Sequence, residues 1–261
     1  MKTALVTGAS SGIGYELSKI HAQYGGDLVV VARSVNKLNE IKLEFEEQYN
    51  IKVHVISKDL TGEYAAKEIW DELSEMGVTV DYLINNAGVG EANEFVDADL
   101  PSLQLMIQLN ITSLMNLCYY FIKEKKENNK SGKILNVAST AGFQGVPYMA
   151  VYSATKSFVV SFTEALAVEY KEANITVTAL CPGPTKTNFG ASSNLKSSFA
   201  NFALLPSAHS VAKYGYSKMM DGDVVVVHGV ANKLGVAATK ATSRQFVSKV
   251  SGQIFKRTIK K

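Results

Sequence analysis

The chain has 261 residues, and at about 150 residues per domain that length allows one large domain or two small ones. Hydrophobic residues make up 46% and charged residues 20%, with a mean hydropathy of +0.03. That composition can bury a sizeable core, and it excludes a disordered, collagen-like or coiled-coil chain. No apolar run reaches the roughly 18 residues of a membrane span. A strand-like run, Thr3-Ala4-Leu5-Val6, starts so soon after Met1 that no cleaved leader is expected.

Cys118 and Cys181 are the two cysteines, both among apolar neighbours, which argues against a disulfide framework and for a reduced, cytoplasmic setting. His21, His54, His209 and His228 show no metal-ligand spacing. No metal is expected, and surface or strand-end roles are assigned to all four. The formal charge is +3, and it is unevenly distributed. From Lys233 onward there are eight basic residues and no acidic one, leaving 19 basic and 24 acidic residues before it, a net −5. An acidic body carries a basic tail.

In chain order, strand-length apolar runs fall at Ala4–Val6, Leu28–Val31, Val53–Ile56, Tyr82–Ile84, Ile134–Val137, Thr176–Leu180 and Val224–Val227. Between them, Glu16–Tyr24, Lys37–Tyr49, Ala65–Met76, Leu100–Lys126 and Val151–Glu172 carry apolar residues at three and four spacing, the helical period. Strands apolar on both faces, alternating with helices, predict a three-layer, doubly wound parallel sheet of about seven strands with helices on both faces. With no linker and no internal repeat, residues 1–232 read as one domain and 233–261 as an extension.

The first strand runs into Thr7-Gly8-Ala9-Ser10-Ser11-Gly12-Ile13-Gly14 and then a helix. Glycines allow a tight turn and close approach of backbone N–H groups to a phosphate at the positive end of the helix dipole. Gly8, Ser10, Ser11, Gly12, Ile13 and Gly14 are therefore candidate dinucleotide-binding residues. The second strand ends in Ala32-Arg33, where a carboxylate would pair with the ribose 2′-hydroxyl of NAD. Arg33 can instead hold a 2′-phosphate by paired hydrogen bonds, so NADP(H) is preferred over NAD(H). Further on, Tyr152 and Lys156 lie one helical turn apart. A neighbouring ammonium favours the phenolate, so the Tyr152 pKa is expected to fall towards neutrality and suit a general acid/base. Ser139, at the end of the fifth strand, sits where ligands bind in open parallel sheets and can polarise a substrate oxygen.

Taken with Asp59-Leu60 after the third strand, Asn85-Asn86-Ala87-Gly88 after the fourth, Asn110 in the long helix and Pro182-Gly183 after the sixth, the Gly-x3-Gly-x-Gly loop, Ser139 and Tyr152-x3-Lys156 resemble the short-chain dehydrogenase/reductase family, compact single-domain branch, over residues 3–230. The resemblance implies a Rossmann fold, a homo-oligomer (dimer or tetramer) and a Rossmann-bound nicotinamide. It implies that Asp59 and Leu60 meet the adenine, that Asn86, Ala87 and Gly88 run beneath the adenosine, and that Pro182, Gly183 and Thr185 close on the nicotinamide carboxamide. Asn110 would bend its helix around a proton-relaying water, completing a tetrad with Ser139, Tyr152 and Lys156, and Lys156 would also hold the nicotinamide ribose.

A lid is implied at about 185–209. Its Phe189, Phe199, Phe202, Leu204 and Leu205, facing Val146, Tyr148 and Met149, suit a hydrophobic small-molecule ketone or alcohol, such as a steroid, a 3-oxoacyl compound or a bulky carbonyl. The function expected is NADP(H)-dependent ketone reduction or its reverse; the alternative is an NADPH-binding regulator or scaffold with little turnover. The chain departs from the family pattern after His228-Gly229. Leu234, Val236, Phe246, Val247, Val250, Ile254 and Phe255 interleave with the tail's cations, which reads as a basic amphipathic helix. Such a helix either docks on the body or a second subunit, or makes weak contact with an anionic membrane as a peripheral protein. No nucleic-acid partner is expected.

Overall fold

The computed structural model describes residues 1–189 and 205–256. Strand and helix alternate: β1 (Thr3–Thr7), α1 (Gly12–Gln23), β2 (Asp27–Ala32), α2 (Val35–Tyr49), β3 (Val53–Ser57), α3 (Ala65–Glu75), β4 (Tyr82–Asn85), α4 (Leu100–Ile107), α5 (Leu114–Glu127), β5 (Gly132–Val137), α6 (Ala150–Glu169), β6 (Ile175–Cys181), α7 (Ala208–Asp221), β7 (Val225–Val227), α8 (Val230–Ala241) and α9 (Arg244–Lys256). The strands form one parallel sheet in the order β3-β2-β1-β4-β5-β6-β7. The order reverses between β1 and β4, which opens a crevice at the carboxyl ends of those strands.

Period-two alternation sends successive strand residues to opposite faces. Leu5 joins Ile69, Leu117, Phe121, Val159 and Leu166 on the face covered by α3, α5 and α6. Ala4 and Val6 join Leu17, Leu38, Phe45, Val211 and Met219 under α1, α2 and α7. A buried polar ladder ties the first layer to the sheet: Asn85 Nδ2 donates to Asn136 Oδ1 at 2.9 Å, and Asn136 Nδ2 donates to Thr163 Oγ1 at 2.9 Å.

Several differences from the sequence expectations have physical causes. The stretch expected as one helix over 100–126 is interrupted by a π-helical turn, Gln108–Ser113, which turns the Asn110 side chain inward. By length and composition alone Leu100–Glu127 could cross a membrane; here α5 is a core helix lying on β4 and β5. His21 is buried, not at the surface. Its Nδ1 pairs with the Tyr216 hydroxyl at 2.8 Å and its Nε2 with the Lys2 carbonyl at 3.0 Å, and burial lowers its pKa. The tail forms two helices, α8 and α9, where one was expected.

Phe121 is fully buried, its ring in the space that a side chain at Gly132 would need, and the Lys125 ammonium lies 5.3 Å from its ring centroid. Phe121→Ala is expected to lower the unfolding free energy by about 3–5 kcal/mol, measured by urea denaturation. A loss below about 1 kcal/mol would show that this face of the sheet is not packed as described.

Candidate active site

The glycine loop is held open by steric necessity. Gly8 and Gly12 adopt φ of +64° and +59°, a region that side-chain-bearing residues rarely enter. A Cβ on Gly14 would collide with the Gly8 carbonyl and with Asn86 Nδ2. Asn86 braces the loop from β4, its Nδ2 donating to the Thr7 and Gly8 carbonyls at 3.0 and 3.2 Å. Thr7 Oγ1 accepts from both the Asn86 and Ala87 amides at 3.0 Å. Ser11 stands at the N-cap of α1 without giving it a side-chain hydrogen bond, so the first-turn N–H groups at Gly12, Ile13 and Gly14, beside Ser10, are free to face an anion.

Around this loop, Arg33 is exposed at the end of β2. It lies near enough to Asp59 to help hold that carboxyl below its ordinary pKa, although hydrogen bonds from the Thr61 amide and hydroxyl contribute more. Leu60 is buried in the core cluster with Ile56 and Ile69. Pro182 and Gly183 follow β6; Thr185 Oγ1 donates to the Gly183 carbonyl at 2.9 Å. A Cβ on Gly12 would touch Thr187, so the chain after β6 returns over the glycine loop.

At the carboxyl ends of β4 and β5 the expected tetrad comes together. Lys156 is buried and donates from Nζ to the Val137 carbonyl at 2.8 Å. Its Nζ lies 5.9 Å from the Tyr152 ring centroid. Burial lowers the ammonium pKa to about 8. Ser139 Oγ accepts from the Ala141 amide at 3.1 Å, which leaves its own proton to donate. Asn110 is clamped to Val89, receiving the amide at Oδ1 (3.0 Å) and donating to the carbonyl from Nδ2 (2.9 Å). Gly88 permits this crowding, since a Cβ there would lie 3.0 Å from Asn110 Oδ1 and 3.5 Å from Lys156 Nζ.

One expectation is corrected. The Tyr152 pKa is raised, not lowered, because burial of the phenol outweighs the opposing hydrogen bond from Ser139, and the Lys156 ammonium is directed to Val137. Tyr152 is therefore a protonated phenol at neutral pH, suited to donate a proton.

The cleft beside Tyr152 is lined by Glu91, Asn93, Phe95, Leu103, Tyr148, Met149 and Val151, among others. Tyr148 and Met149 thus stand where the sequence placed them, while Val146 is buried in the cluster with Met149 and Tyr152. Phe189 packs on the Tyr152 ring, with centroids 5.6 Å apart. Phe199, Phe202 and Leu204 lie outside the described residues. The base of the expected lid is pinned by the Lys186 amide donating to the Pro206 carbonyl at 2.9 Å.

Sequence reasoning passed over three contributors. Thr155 receives Asn110 Nδ2 at 3.1 Å and donates to the Tyr152 carbonyl at 2.8 Å, linking two tetrad members. Thr7 braces the glycine loop. Glu91, whose Oε1 accepts from Asn93 Nδ2, brings a carboxylate into an otherwise largely apolar cleft. Thr155, directly before Lys156, was the one signalled by position.

A family model for short chain dehydrogenases matches residues 2–198. The chain belongs to the short chain dehydrogenase family. It is 31% identical over 185 residues to the human very-long-chain 3-oxoacyl-CoA reductase, covering 69% of this chain and 58% of that one. It is 33% identical over 189 residues to 17-beta-hydroxysteroid dehydrogenase type 3 of Rattus norvegicus, covering 70% and 60%. The chain therefore spans under two thirds of the length of these relatives. Among solved structures, a short-chain dehydrogenase from Sphingobium yanoikuyae in complex with NADPH superposes with a TM-score of 0.82 at 26% identity, covering 92% of this chain and 94% of that one. The bulky-bulky ketone specific alcohol dehydrogenase from Comamonas testosteroni gives 0.77 at 27%, covering 92% of each.

The family implies a nicotinamide cofactor. The cradle fits its pyrophosphate: positive-φ glycines, a helix N-terminus without a side-chain cap, and a Gly14 position that admits no Cβ. Gly14→Ala is expected to weaken dinucleotide binding on the order of tenfold or more, because the loop must distort at a strain of roughly 1–3 kcal/mol. Titration followed by nucleotide fluorescence checks this, and unchanged affinity would exclude the loop as the binding cradle.

Proposed function

We propose that the protein is an NADP(H)-dependent oxidoreductase that interconverts a hydrophobic ketone and its secondary alcohol. The observation that carries this reading is the convergence of Ser139, Tyr152 and Lys156 at the carboxyl end of the sheet, with Gly88 beside both Asn110 and the Lys156 ammonium and the glycine cradle at the same end.

Ketone reduction requires a hydride at carbon and a proton at oxygen; a bound nicotinamide supplies the hydride. This chain's part is to hold the carbonyl and deliver the proton. Tyr152 carries that proton at neutral pH, and the Ser139 hydroxyl, fixed by Ala141, is positioned to polarise the substrate oxygen. Lys156, kept in place by Val137, would hold the cofactor ribose and return a proton to Tyr152, with Asn110 and Thr155 holding the helix geometry around it. The protonated phenol is the form that reduction uses.

Arg33 stands exposed where β2 meets α2, with no carboxylate at 32 or 33, which supports a 2′-phosphate and hence NADPH. Phe95, Leu103, Met149 and Val151 support an apolar substrate, in keeping with the reductases and steroid dehydrogenase that the chain resembles. Leu105, Ile107, Met115 and Tyr119 are exposed apolar residues on α4 and α5, which supports self-association into a homo-oligomer.

NADPH oxidation screened over steroids, 3-oxoacyl thioesters and aromatic ketones is expected to reveal turnover that Tyr152→Phe abolishes while NADPH affinity stays within a few-fold. Retained turnover in that variant would overturn the role of Tyr152. Arg33→Ala is expected to raise the KM for NADPH roughly ten- to hundredfold, the worth of a charge-assisted hydrogen bond, and to leave that for NADH unchanged; equal changes would remove the 2′-phosphate assignment. Because the charged form of Lys156 is the active one and its pKa is depressed to about 8, kcat/KM for the cofactor should be level in neutral solution and fall as pH rises through that value. A profile level well beyond it would contradict the role of the ammonium.

A further inference from the structure

The tail is not a free arm. Helix α9 turns Ser248, Ser251, Gly252 and Phe255 inward. A Cβ on Gly145 would lie 3.1 Å from Ser248 Oγ, and one on Gly252 would lie 3.1 Å from the Pro147 ring. Phe255 packs on the cluster containing Met149 and Tyr152. The extension therefore packs behind residues that line the cleft, Met149 and Tyr152 among them. Helix α8 is anchored at its start, where Asn232 occupies the space beside Gly183 and donates to the His228 carbonyl at 2.8 Å.

The opposite faces have a different chemistry. On α9, Phe246 and Val250 are exposed one turn apart, with Arg244, Lys249 and Lys256 also in solvent; on α8, Val230 and Leu234 are exposed one turn apart beside Lys233. No acidic residue follows Asp223 in the sequence. Among the described residues, these four cations make no ion pair with the body. Two occupants suit an apolar surface of this kind, a second copy or a lipid interface. A two-fold contact between copies places the same patch against itself, so the cations would face cations. Apolar residues set among cations without an acidic partner among the described residues are instead complementary to an anionic lipid surface, where apolar side chains enter the headgroup boundary and each cation adds attraction.

We propose that the outer faces of α8 and α9 dock the protein on an anionic membrane surface, which holds α9, and the cluster of Met149 and Tyr152 that its Phe255 packs on, close to the interface. An apolar ketone would then reach Tyr152 from the lipid phase. The docking itself is independent of the reductase reading; only the route of the substrate rests on it.

Full-length protein is sedimented with phosphatidylcholine vesicles with and without phosphatidylserine. Binding is expected to the anionic vesicles, weakened by added salt, and reduced on the order of tenfold by Lys249→Glu and several-fold by the pair Phe246→Ser and Val250→Ser. These outward-facing variants should leave turnover of a water-soluble ketone unchanged, and lower turnover of a long-chain ketone presented in anionic vesicles. No sedimentation, equal sedimentation with neutral vesicles, or variants that sediment as well as wild type would overturn the proposal. A change from dimer to monomer in the Phe246/Val250 pair, with vesicle binding unaltered, would overturn it in favour of a second copy. Loss of ketone turnover in every protein with vesicle binding intact would refute the reductase reading and leave the docking standing.

Discussion

An ammonium group inside a protein loses its hydration, and it stays charged only where fixed dipoles replace the water. Lys156 meets that condition at the end of β5, where the Val137 carbonyl receives its proton at 2.8 Å. The geometry around the cleft follows from keeping it there. Gly88 carries no Cβ because one would press on Asn110 and approach the ammonium. The π-helical turn at Gln108–Ser113 brings the Asn110 side chain to both backbone groups of Val89, fixing the chain that passes beside Lys156. Thr155 joins Asn110 to α6, so the helix that carries Tyr152 and Lys156 is tied to the segment after β4.

The second constraint is the glycine cradle, and it shares its supports with the first. Asn86 and Ala87, at the end of β4, bond to Thr7 and brace the loop after β1; two residues on, Gly88 and Val89 engage Asn110. One short segment after β4 thus sets the distance between the glycine loop and Tyr152. The reversal of strand order between β1 and β4 makes this possible, because it leaves the crevice open at the place where both loops emerge.

Much of this was legible in the chain itself. Apolar strand runs flanked by helical periods mark the alternation, since a strand buried on both faces carries few polar residues. The glycine loop and Tyr152-x3-Lys156 are local patterns whose chemistry depends on short spacing, so they read directly. Less legible were features created by tertiary packing. The sign of the Tyr152 shift depends on how deeply the phenol is buried and on the ammonium turning to Val137, neither of which spacing reveals. His21 reads as an ordinary helix residue until Tyr216, 195 positions later, arrives beside it. Glu91 and Asn93 enter the cleft through a loop without period, and the docking of α9 against Gly145 and Pro147 requires small contact residues far apart in sequence.

The central claim is that this cleft brings a hydride source and the Tyr152 proton to one carbonyl. The most direct measurement uses NADPH deuterated at C4 of the nicotinamide on the transferred face, with a ketone that the protein turns over, and locates the label in the product by mass spectrometry and NMR. One deuterium on the carbinol carbon, with the hydroxyl proton exchanging with solvent, is the predicted result. An alcohol free of the label, or NADPH consumed with no alcohol formed, would contradict the account.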